Sequence, residues 1–342
     1  MNQPSTRSRR ATGRATLADV ARLAEVSPMT ASRALRADAS VDPLLAERVR
    51  QAATKLGYVP DPAARALASQ RSSHIAVLIP SITNRLFVEL LEAVQQVLRE
   101  GGYQTLIGIS HYRPLEEEVL VREHLLHRPA GMLLTGLEQT PLTRQLLQAS
   151  RVPVVSMMDL ADEGEGCSVG FSQWAAAAAM TRHLLDRGRR RIAFVGAQLD
   201  ARAMQRLQGW RDTLVQAGLY DPGLQWLDEQ ASTVALGGSL FERILAAEPQ
   251  VDAIFFCNDD LAQGALLRAL RLGIDVPGRV AVAGFNDLPE SAEMVPPLST
   301  VRTHRAAIGE RAAQMLLALL RQEQPGARRV DLGFELMVRQ ST

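Results

Sequence analysis

Residues 16–35 read TLADVARLAEVSPMTASRAL, and this stretch decides how the beginning of the chain folds. Apolar and small side chains recur at helical spacing on both sides of Ser27, which predicts two short helices with a tight break between them. Ser27 can cap the second helix, and Pro28 at its first position loses no hydrogen bond. Beside its buried side the second helix carries Met29, Thr30, Ser32 and Arg33.

A helix pair of this kind has two interpretations. It is a helix-turn-helix that places its second helix in the major groove of DNA, or a packing hairpin of an ordinary helical protein. Charge favours the first, because residues 1–72 hold 12 Arg or Lys against 6 Asp or Glu, a net charge of +6. The whole chain of 342 residues carries +1, so the remainder carries −5. The partner of the basic region is therefore expected to be a polyanion.

Changes in charge and in the spacing of apolar residues along the chain predict four segments. A third helix, capped by Asp42 and stopped at Gly57, completes the first folded unit. The stretch Ala63–Ala68 behind it is long enough for about one and a half helical turns, and so short a helix is not expected to be stable alone. The segments are a disordered basic arm (1–15), a helical head (16–60), a short helix with its linker (61–73) and a body (74–342).

The body alternates short apolar runs with longer helical periods. Continuous apolar runs are typical of strands buried on both faces, and right-handed crossovers arrange such strands in parallel sheets. We therefore predict an α/β body of doubly wound parallel sheets in two lobes. The predicted strands are 75–80, 104–110, 130–136, 152–159, 191–197, 253–259 and 280–287.

Polar residues stand at the carboxyl ends of these strands, where open α/β sheets bind ligands. Each has a local alternative, since Asp or Asn at such a place can cap a helix or form a turn. Together they favour a site for the hydroxyls of a polyol, and Arg206 in the helical stretch RLQGWRD adds a guanidinium suited to an acidic ligand. The strand-end residues are Ser81, Asn84, Asp159, Asn258, Asp259, Asn286 and Asp287.

Motifs of catalysis and cofactor binding are missing from the sequence. It contains no GxxxxGK[ST] loop, no GxGxxG behind the first strand, no GxSxG and no HExxH, so we expect no enzyme, cofactor or metal. Cys167 and Cys257 are expected to be free thiols in a reducing cytoplasm. No signal-peptide core and no run of about 18 apolar residues occurs, which predicts a cytoplasmic protein without a membrane span.

Two other groups are assigned local roles. His111 and Tyr112, in SHYRP after the second strand, are expected to cover a loop rather than line a cleft. Residues 116–118 are all Glu and lie in the first turn of a helix, where carboxylates favour the helix dipole.

From about Thr16 onward, the helix-turn-helix stretch, the short helix behind it and the strand-end motifs of the body resemble, in their order and spacing, the lactose-repressor (LacI/GalR) family of bacterial transcription regulators. Within the family, IGISHYRPLEEE, RPAGMLLTG, MMD, VGFS and VALGG are most similar to gluconate-operon repressors. The resemblance implies a DNA-binding head, a hinge helix, and a body that binds an effector and dimerises. The sequence has no leucine heptad beyond LGFELMVRQST, so the resemblance implies a homodimer, and a two-fold dimer implies a palindromic operator.

The resemblance also implies the residues that contact DNA. Pro28, Met29 and Arg33 fall where base-reading side chains are expected, and the first two are apolar where the family is commonly polar. Apolar contact with thymine methyl groups is an alternative to hydrogen bonding there. Leu67 falls on the leucine that wedges into the minor groove. Residues expected near phosphates are Thr16, Ser27, Thr30 and Ser32.

For the effector, the resemblance implies a site between the lobes. Asn286 replaces an aspartate common in sugar-sensing relatives, and the loss of one negative charge near Arg206 suits a sugar acid. The implied ligands are Ser81 and Asn84 from the first lobe, Arg206, Asn258 and Asn286 from the second, and Asp159 near the crossover.

The favoured function is a repressor of gluconate utilisation genes, released from its operator by gluconate or a phosphorylated derivative. The alternatives are a regulator that responds to a neutral sugar or a purine, a solute-binding protein of a transport system, and an enzyme of sugar metabolism. A solute-binding protein would not carry the basic helix-turn-helix head, which disfavours the transport protein. The absence of catalytic motifs disfavours the enzyme.

Overall fold

The computed structural model describes residues 15–35, 40–59, 72–324 and 326–342. The chain forms two compact units, residues 1–72 and 73–342. The predicted hinge helix Ala63–Ala68, with Leu67, lies outside the described residues.

In its described residues the N-terminal unit contains three helices whose beginnings follow from local chemistry. The Thr16 hydroxyl accepts from the Asp19 amide at 3.3 Å, and the Ser27 hydroxyl accepts from the Thr30 amide at 3.1 Å. Asp42 accepts from two amides of the third helix, at 2.9 and 3.1 Å. The predicted caps at Ser27 and Asp42 are confirmed. The helices are α1 (Leu17–Leu23), α2 (Pro28–Leu35) and α3 (Pro43–Lys55).

Small side chains let these helices pack closely. Ala21, Ala31 and Ala34 are buried with Val20 and Val49 in one core. The Arg48 guanidinium of α3 donates through Nε to the carbonyl of Ala24, at 3.0 Å, and so ties α3 to the end of α1.

The body continues with strands and helices in alternation. Its helices are α4 (Leu86–Glu100), α5 (Pro114–Leu126), α6 (Pro141–Ser150), α7 (Gln173–Asp186), α8 (Ala201–Gln216), α9 (Val234–Ala247), α10 (Asp259–Leu272) and α11 (Arg305–Leu320). Its strands are β1 (His74–Ile79), β2 (Gln104–Ile109), β3 (Gly131–Thr135), β4 (Val154–Met157), β5 (Cys167–Gly170), β6 (Ile192–Ala197), β7 (Gln225–Asp228), β8 (Ala253–Phe256), β9 (Ala281–Ala283), β10 (Thr300–Thr303), β11 (Arg329–Asp331) and β12 (Phe334–Met337).

Two parallel sheets form the two lobes of the body. The first sheet has the order β11-β5-β4-β3-β1-β2, and the second has the order β7-β6-β8-β9. Strands β10 and β12 pair antiparallel beside the second sheet. These sheets confirm the predicted α/β body with parallel strands. Their central strands are continuous runs of buried apolar residues, as expected for strands covered on both faces.

The chain passes between the lobes three times in the described part of the body. It leaves the first sheet after β5 and enters α7, which packs on α8 and the β10–β12 pair. It returns after β10 into α11, which packs on α4, and crosses again from β11 to β12. The lobes are therefore joined by three short segments, at residues 171–172, at His304 and at residues 332–333.

Several strands differ from the prediction. The run 280–287 is a strand only over Ala281–Ala283, since the next residues leave the sheet and both Asn286 and Asp287 have positive φ. Strands β5, β7, β10 and β11 were missed because each has only three or four residues and carries polar side chains. Every helix within the described ranges is too short or too polar to span a lipid bilayer.

Candidate DNA-binding and effector sites

Helix α2 has a buried and an exposed face, as a recognition helix requires. Ala31 and Ala34 are buried against α1 and α3. Pro28, Met29 and Arg33 are exposed, and the Met29 side chain is 66% accessible to solvent. The three residues expected to read bases therefore stand on the surface of the unit.

The residues expected near phosphates lie at the helix ends or beside α2. Thr16 and Ser27 are exposed caps of α1 and α2, and Ser32 is half-buried on α2. The hydroxyls of Ser27 and Thr30 lie 2.8 Å apart and bond each other. A helix beginning offers free amide donors, which suit a phosphate oxygen. Leu67 lies outside the described part of the chain.

A polar cleft opens at the carboxyl ends of the strands of both lobes. Its outer part has a volume of about 530 Å³, and two narrow inner parts have about 40 and 30 Å³. The three parts adjoin, because Tyr112 lines all of them. The first lobe contributes residues after β1 to β4, and the second lobe contributes residues after β6, β7 and β8.

All six residues expected to bind an effector line this cleft. Ser81 faces the outer part and Asp159 one inner part. Asn84 lines both the outer part and the second inner part. That second inner part also brings together Arg206, Asn258 and Asn286.

Arg206 is buried deep in the second lobe and is strongly bound by its neighbours. Its Nε donates to Oε1 of Gln173 at 2.9 Å, and its Nη1 donates to the carbonyl of Cys257 at 2.5 Å. The guanidinium lies over the Phe285 ring, 3.8 Å from the centroid. Burial lowers the pKa of Arg206. Two of its five N–H donors are thus used to shape the wall of the cleft.

Arg202, one helical turn before Arg206, is the residue that the sequence analysis missed. It is buried, and its Nη2 donates to Oδ2 of Asp200 at 3.0 Å. Its Nη1 is buried with no hydrogen-bond partner among the described residues. The guanidinium stands 5.8 Å from the Phe87 ring centroid and 5.9 Å from that of Tyr112. The i, i+4 spacing of the two arginines on one helix was the available signal.

Acidic residues surround Arg202. Asp200 caps α8, and although burial alone would raise its pKa, the charge of Arg202 holds that pKa below the usual value. Burial raises the pKa of Asp159 to about 6 and that of Glu117 to about 7. Oε1 of Glu117 has no hydrogen-bond partner within the described ranges. Glu117 does lie in the first turn of α5 as predicted, but it also faces the cleft with Glu138.

Tyr112 corrects another expectation. The side chain lines the cleft and does not merely cover a loop. Its hydroxyl accepts from Nδ2 of Asn84 at 2.9 Å, and this bond joins the loop after β2 to the loop after β1. His111 also lines the outer cleft, and its Nδ1 lies 2.7 Å from Oε2 of Glu116.

Three of the strand-end residues have structural roles. Asn258 caps α10, and its amide also bonds the Ser232 hydroxyl. Asp259 is fully buried and accepts from the amide of Leu288 at 2.7 Å. Asp287 accepts from Arg302 at 2.8 Å and from Arg339 at 2.7 Å. Long-range bonds within the second lobe, rather than a helix cap or a turn, thus account for Asp259 and Asp287. Asn258 both caps a helix and lines the cleft.

Asn286 differs from these residues. Its backbone has a φ of +118°, a region that non-glycine residues rarely occupy. Its Oδ1 is buried without a hydrogen-bond partner in the described structure. An acceptor left open beside a cleft is suited to a ligand hydroxyl. The described residues contain no group of three or more His, Cys, Asp or Glu side chains that could hold a metal ion.

An exposed helix-turn-helix and a polar cleft between two lobes, on one chain, define an effector-controlled DNA-binding protein. Residues 16–61 match the family described as "Bacterial regulatory proteins, lacI family", and residues 181–342 match the periplasmic binding protein-like domain. The HTH-type transcriptional regulator GntR of Pseudomonas aeruginosa is 57% identical over 334 residues, 97% of each chain.

Solved structures agree with this relationship. The crystal structure of transcription regulator GntR from Chromobacterium violaceum is 53% identical, has a TM-score of 0.77, and covers 78% of this chain and 98% of its own. A LacI-family regulator from Silicibacter pomeroyi is 34% identical, has a TM-score of 0.89, and covers 96% and 99%. The chain belongs to the LacI family of bacterial transcription regulators.

Proposed function

We propose that this regulator is a homodimeric repressor of sugar-acid utilisation genes, released from a palindromic operator by gluconate or a phosphorylated derivative. The observation that carries the effector class is the buried Nη1 of Arg202, a charged donor without a hydrogen-bond partner among the described residues. Such a donor fits the carboxylate of a sugar acid better than any group of a neutral sugar. Relatives named GntR support the same assignment.

The polyol part of the ligand has suitable partners nearby. Amides of Asn84 and Asn286 and the carboxyl of Asp159 line the inner cleft. Each can bond a hydroxyl as donor, acceptor or both. Arg206 shapes the second-lobe wall of the cleft, since its Nε and Nη1 already donate to Gln173 and Cys257.

Protonation of two carboxyl groups in the cleft would reduce the repulsion that a negatively charged ligand meets there. With pKa values of about 6 and about 7, Asp159 and Glu117 hold protons far more readily than exposed carboxyls. A protonated carboxyl donates a hydrogen bond instead of repelling an anion. A neutral sugar or a purine remains the alternative effector, because Asp200 already neutralises one charge of the site.

For the operator, we assign base reading to the exposed face of α2. Arg33 would donate to guanine, and Pro28 and Met29 would contact thymine methyl groups. Thr16, Ser27, Thr30 and Ser32 would lie near phosphates, and Leu67 would enter the minor groove at the operator centre. A protein that works on chromosomal DNA acts in the cytoplasm.

The test is fluorescence anisotropy of the full-length protein on labelled duplexes that tile the DNA upstream of its own and neighbouring genes. Salt is held constant, because phosphate contacts make affinity depend on it. Gluconate, 6-phosphogluconate, glucose and a purine are added separately. Tight binding to one palindromic site, released only by the sugar acids, is the expected result. Release by glucose or the purine alone would overturn the effector, and absence of specific binding would overturn the regulator.

A further inference from the structure

Arg305, the first residue of α11, stands at the middle crossover and bonds both lobes. Its side chain is only 6% exposed. Nη1 donates to the backbone carbonyl of Asn286 in the second lobe. Nε and Nη2 donate to the two carboxylate oxygens of Glu89, at 3.1 and 2.9 Å. This two-pronged geometry is the strong form of an arginine–carboxylate pair.

The partner in the second lobe is held in an unusual conformation. Asn286, at a φ of +118°, is followed by Asp287 at +53°. Such backbone states cost free energy and persist only where neighbours fix them. The amide of Asn286 donates to the carbonyl of Val301 at 2.8 Å, and Arg305 holds the carbonyl on the other side. Between these two bonds the side-chain oxygen faces the cleft without a partner in the described structure.

The partner in the first lobe belongs to a helix that begins at the cleft. Glu89 lies in the first turn of α4, and Asn84 stands two residues before that helix. Oδ1 of Asn84 accepts from the amide of Leu86 at 3.1 Å, which fixes Asn84 to the start of α4. A movement of α4 relative to the second lobe would therefore pull on Glu89 and shift Asn84 together.

We propose that Arg305 is a positioning residue of the effector site. By binding the backbone carbonyl of Asn286, it keeps the side-chain amide of that residue turned toward the cleft. Its pair with Glu89 makes the position of this side chain depend on how the two lobes are arranged. Effector contact at Asn286 and the position of α4 are then linked, so that each influences the other by the same free energy. The assignment of the ligand rests on the proposed function, whereas the hold on Asn286 does not.

Two variants and their combination test the link. Gluconate binding is measured by titration calorimetry on full-length wild type, Arg305→Lys, Glu89→Gln and the double variant. Arg305→Lys is expected to weaken gluconate binding about ten-fold, because one ammonium cannot serve both partners in a fork. Glu89→Gln should weaken binding less, and the double variant should lose no more than Arg305→Lys alone. The exposed Glu123→Gln is the matched control.

Hydrogen exchange of the unliganded protein tests the hold without any assumption about the ligand. In Arg305→Lys the amides of residues 284–288 should exchange faster, while those of β6 should keep the wild-type rate. Unchanged exchange at 284–288, or additive losses of gluconate affinity in the double variant, would overturn the proposal. If wild type binds no gluconate, the proposed effector fails, and the exchange result alone decides the role of Arg305.

Discussion

The helix-turn-helix and the interlobe cleft use side chains in opposite ways. On α2 the side chains expected to read bases are exposed, and the structure needs only Ala31 and Ala34 behind them. In the cleft the candidate ligands are buried or half-buried, and some serve the fold at the same time, as Arg206 does with Gln173 and Cys257. A surface can therefore change its partner by changing one exposed residue, whereas a change in the cleft also alters the wall that holds its neighbours.

The largest change in affinity should come from Arg202→Met, which is expected to affect the cleft and leave the helix-turn-helix unchanged. Loss of a buried charged donor is expected to weaken gluconate binding about a hundred-fold while operator affinity without gluconate stays unchanged. Calorimetry measures the first quantity and anisotropy the second. Because the variant leaves Asp200 unpaired, Asp200→Asn combined with Arg202→Met is the control for misfolding. Normal gluconate affinity would remove Arg202 from the site.

Leu67→Ala probes the DNA side at the wedge position. Loss of the apolar wedge is expected to lower operator affinity about thirty-fold, because the kinked duplex would lose the group that replaces base stacking. Effector affinity should remain at the wild-type value. Anisotropy with the operator duplex and calorimetry with gluconate give the two numbers. Unchanged operator binding would contradict the wedge assignment.

Arg33→Ala sharpens the contrast within the head. Removal of one base-reading pair is expected to weaken operator binding about ten-fold and to relax the preference at a single base pair of each half-site. The exposed Arg22→Ala on α1 is the control for loss of charge alone. Competition with duplexes substituted at each position measures the preference. An equal loss on all sequences would show that Arg33 contacts phosphate instead.

The smallest effect concerns the pH dependence of stability and is expected from one residue of the cleft. Glu117 has a pKa raised to about 7 by burial, so the folded state binds a proton that the unfolded chain has already lost. Stability from this group is present at low pH and disappears as pH rises through that pKa. Between about pH 6 and pH 8 the free energy of unfolding should fall by about 1 kcal/mol. Urea unfolding of Glu117→Gln should show a flatter profile, and an identical profile would contradict the assignment.

The two regions also differ in what the sequence could predict. The caps at Ser27 and Asp42 depend on residues two or three positions away, so local spacing was sufficient to find them. The strand ends placed five of the six candidate ligands in one cleft, because parallel strands bring their carboxyl ends together. Arg202 was missed since its importance depends on Phe87 and Tyr112 in the other lobe.

Burial was the other quantity that spacing could not supply. Glu117 has the sequence position of an ordinary helix-dipole carboxylate, and only the packing around it makes it a cleft residue. Asp259 and Asp287 stand at strand ends like Asn286, yet both are consumed by internal bonds. The difference between a ligand and a structural anchor thus lies in long-range contacts.

The three crossovers also govern the order in which the body can be completed during synthesis. The sheet of the first lobe requires β11 at its edge, and helix α11 covers β3 to β5. Both elements leave the ribosome after nearly all of the second lobe. The first lobe must therefore wait, with part of its apolar surface uncovered, until residue 331 has been added. During synthesis, this apolar surface would stay accessible to chaperones for a longer time than in a protein whose two lobes are each completed before the next begins.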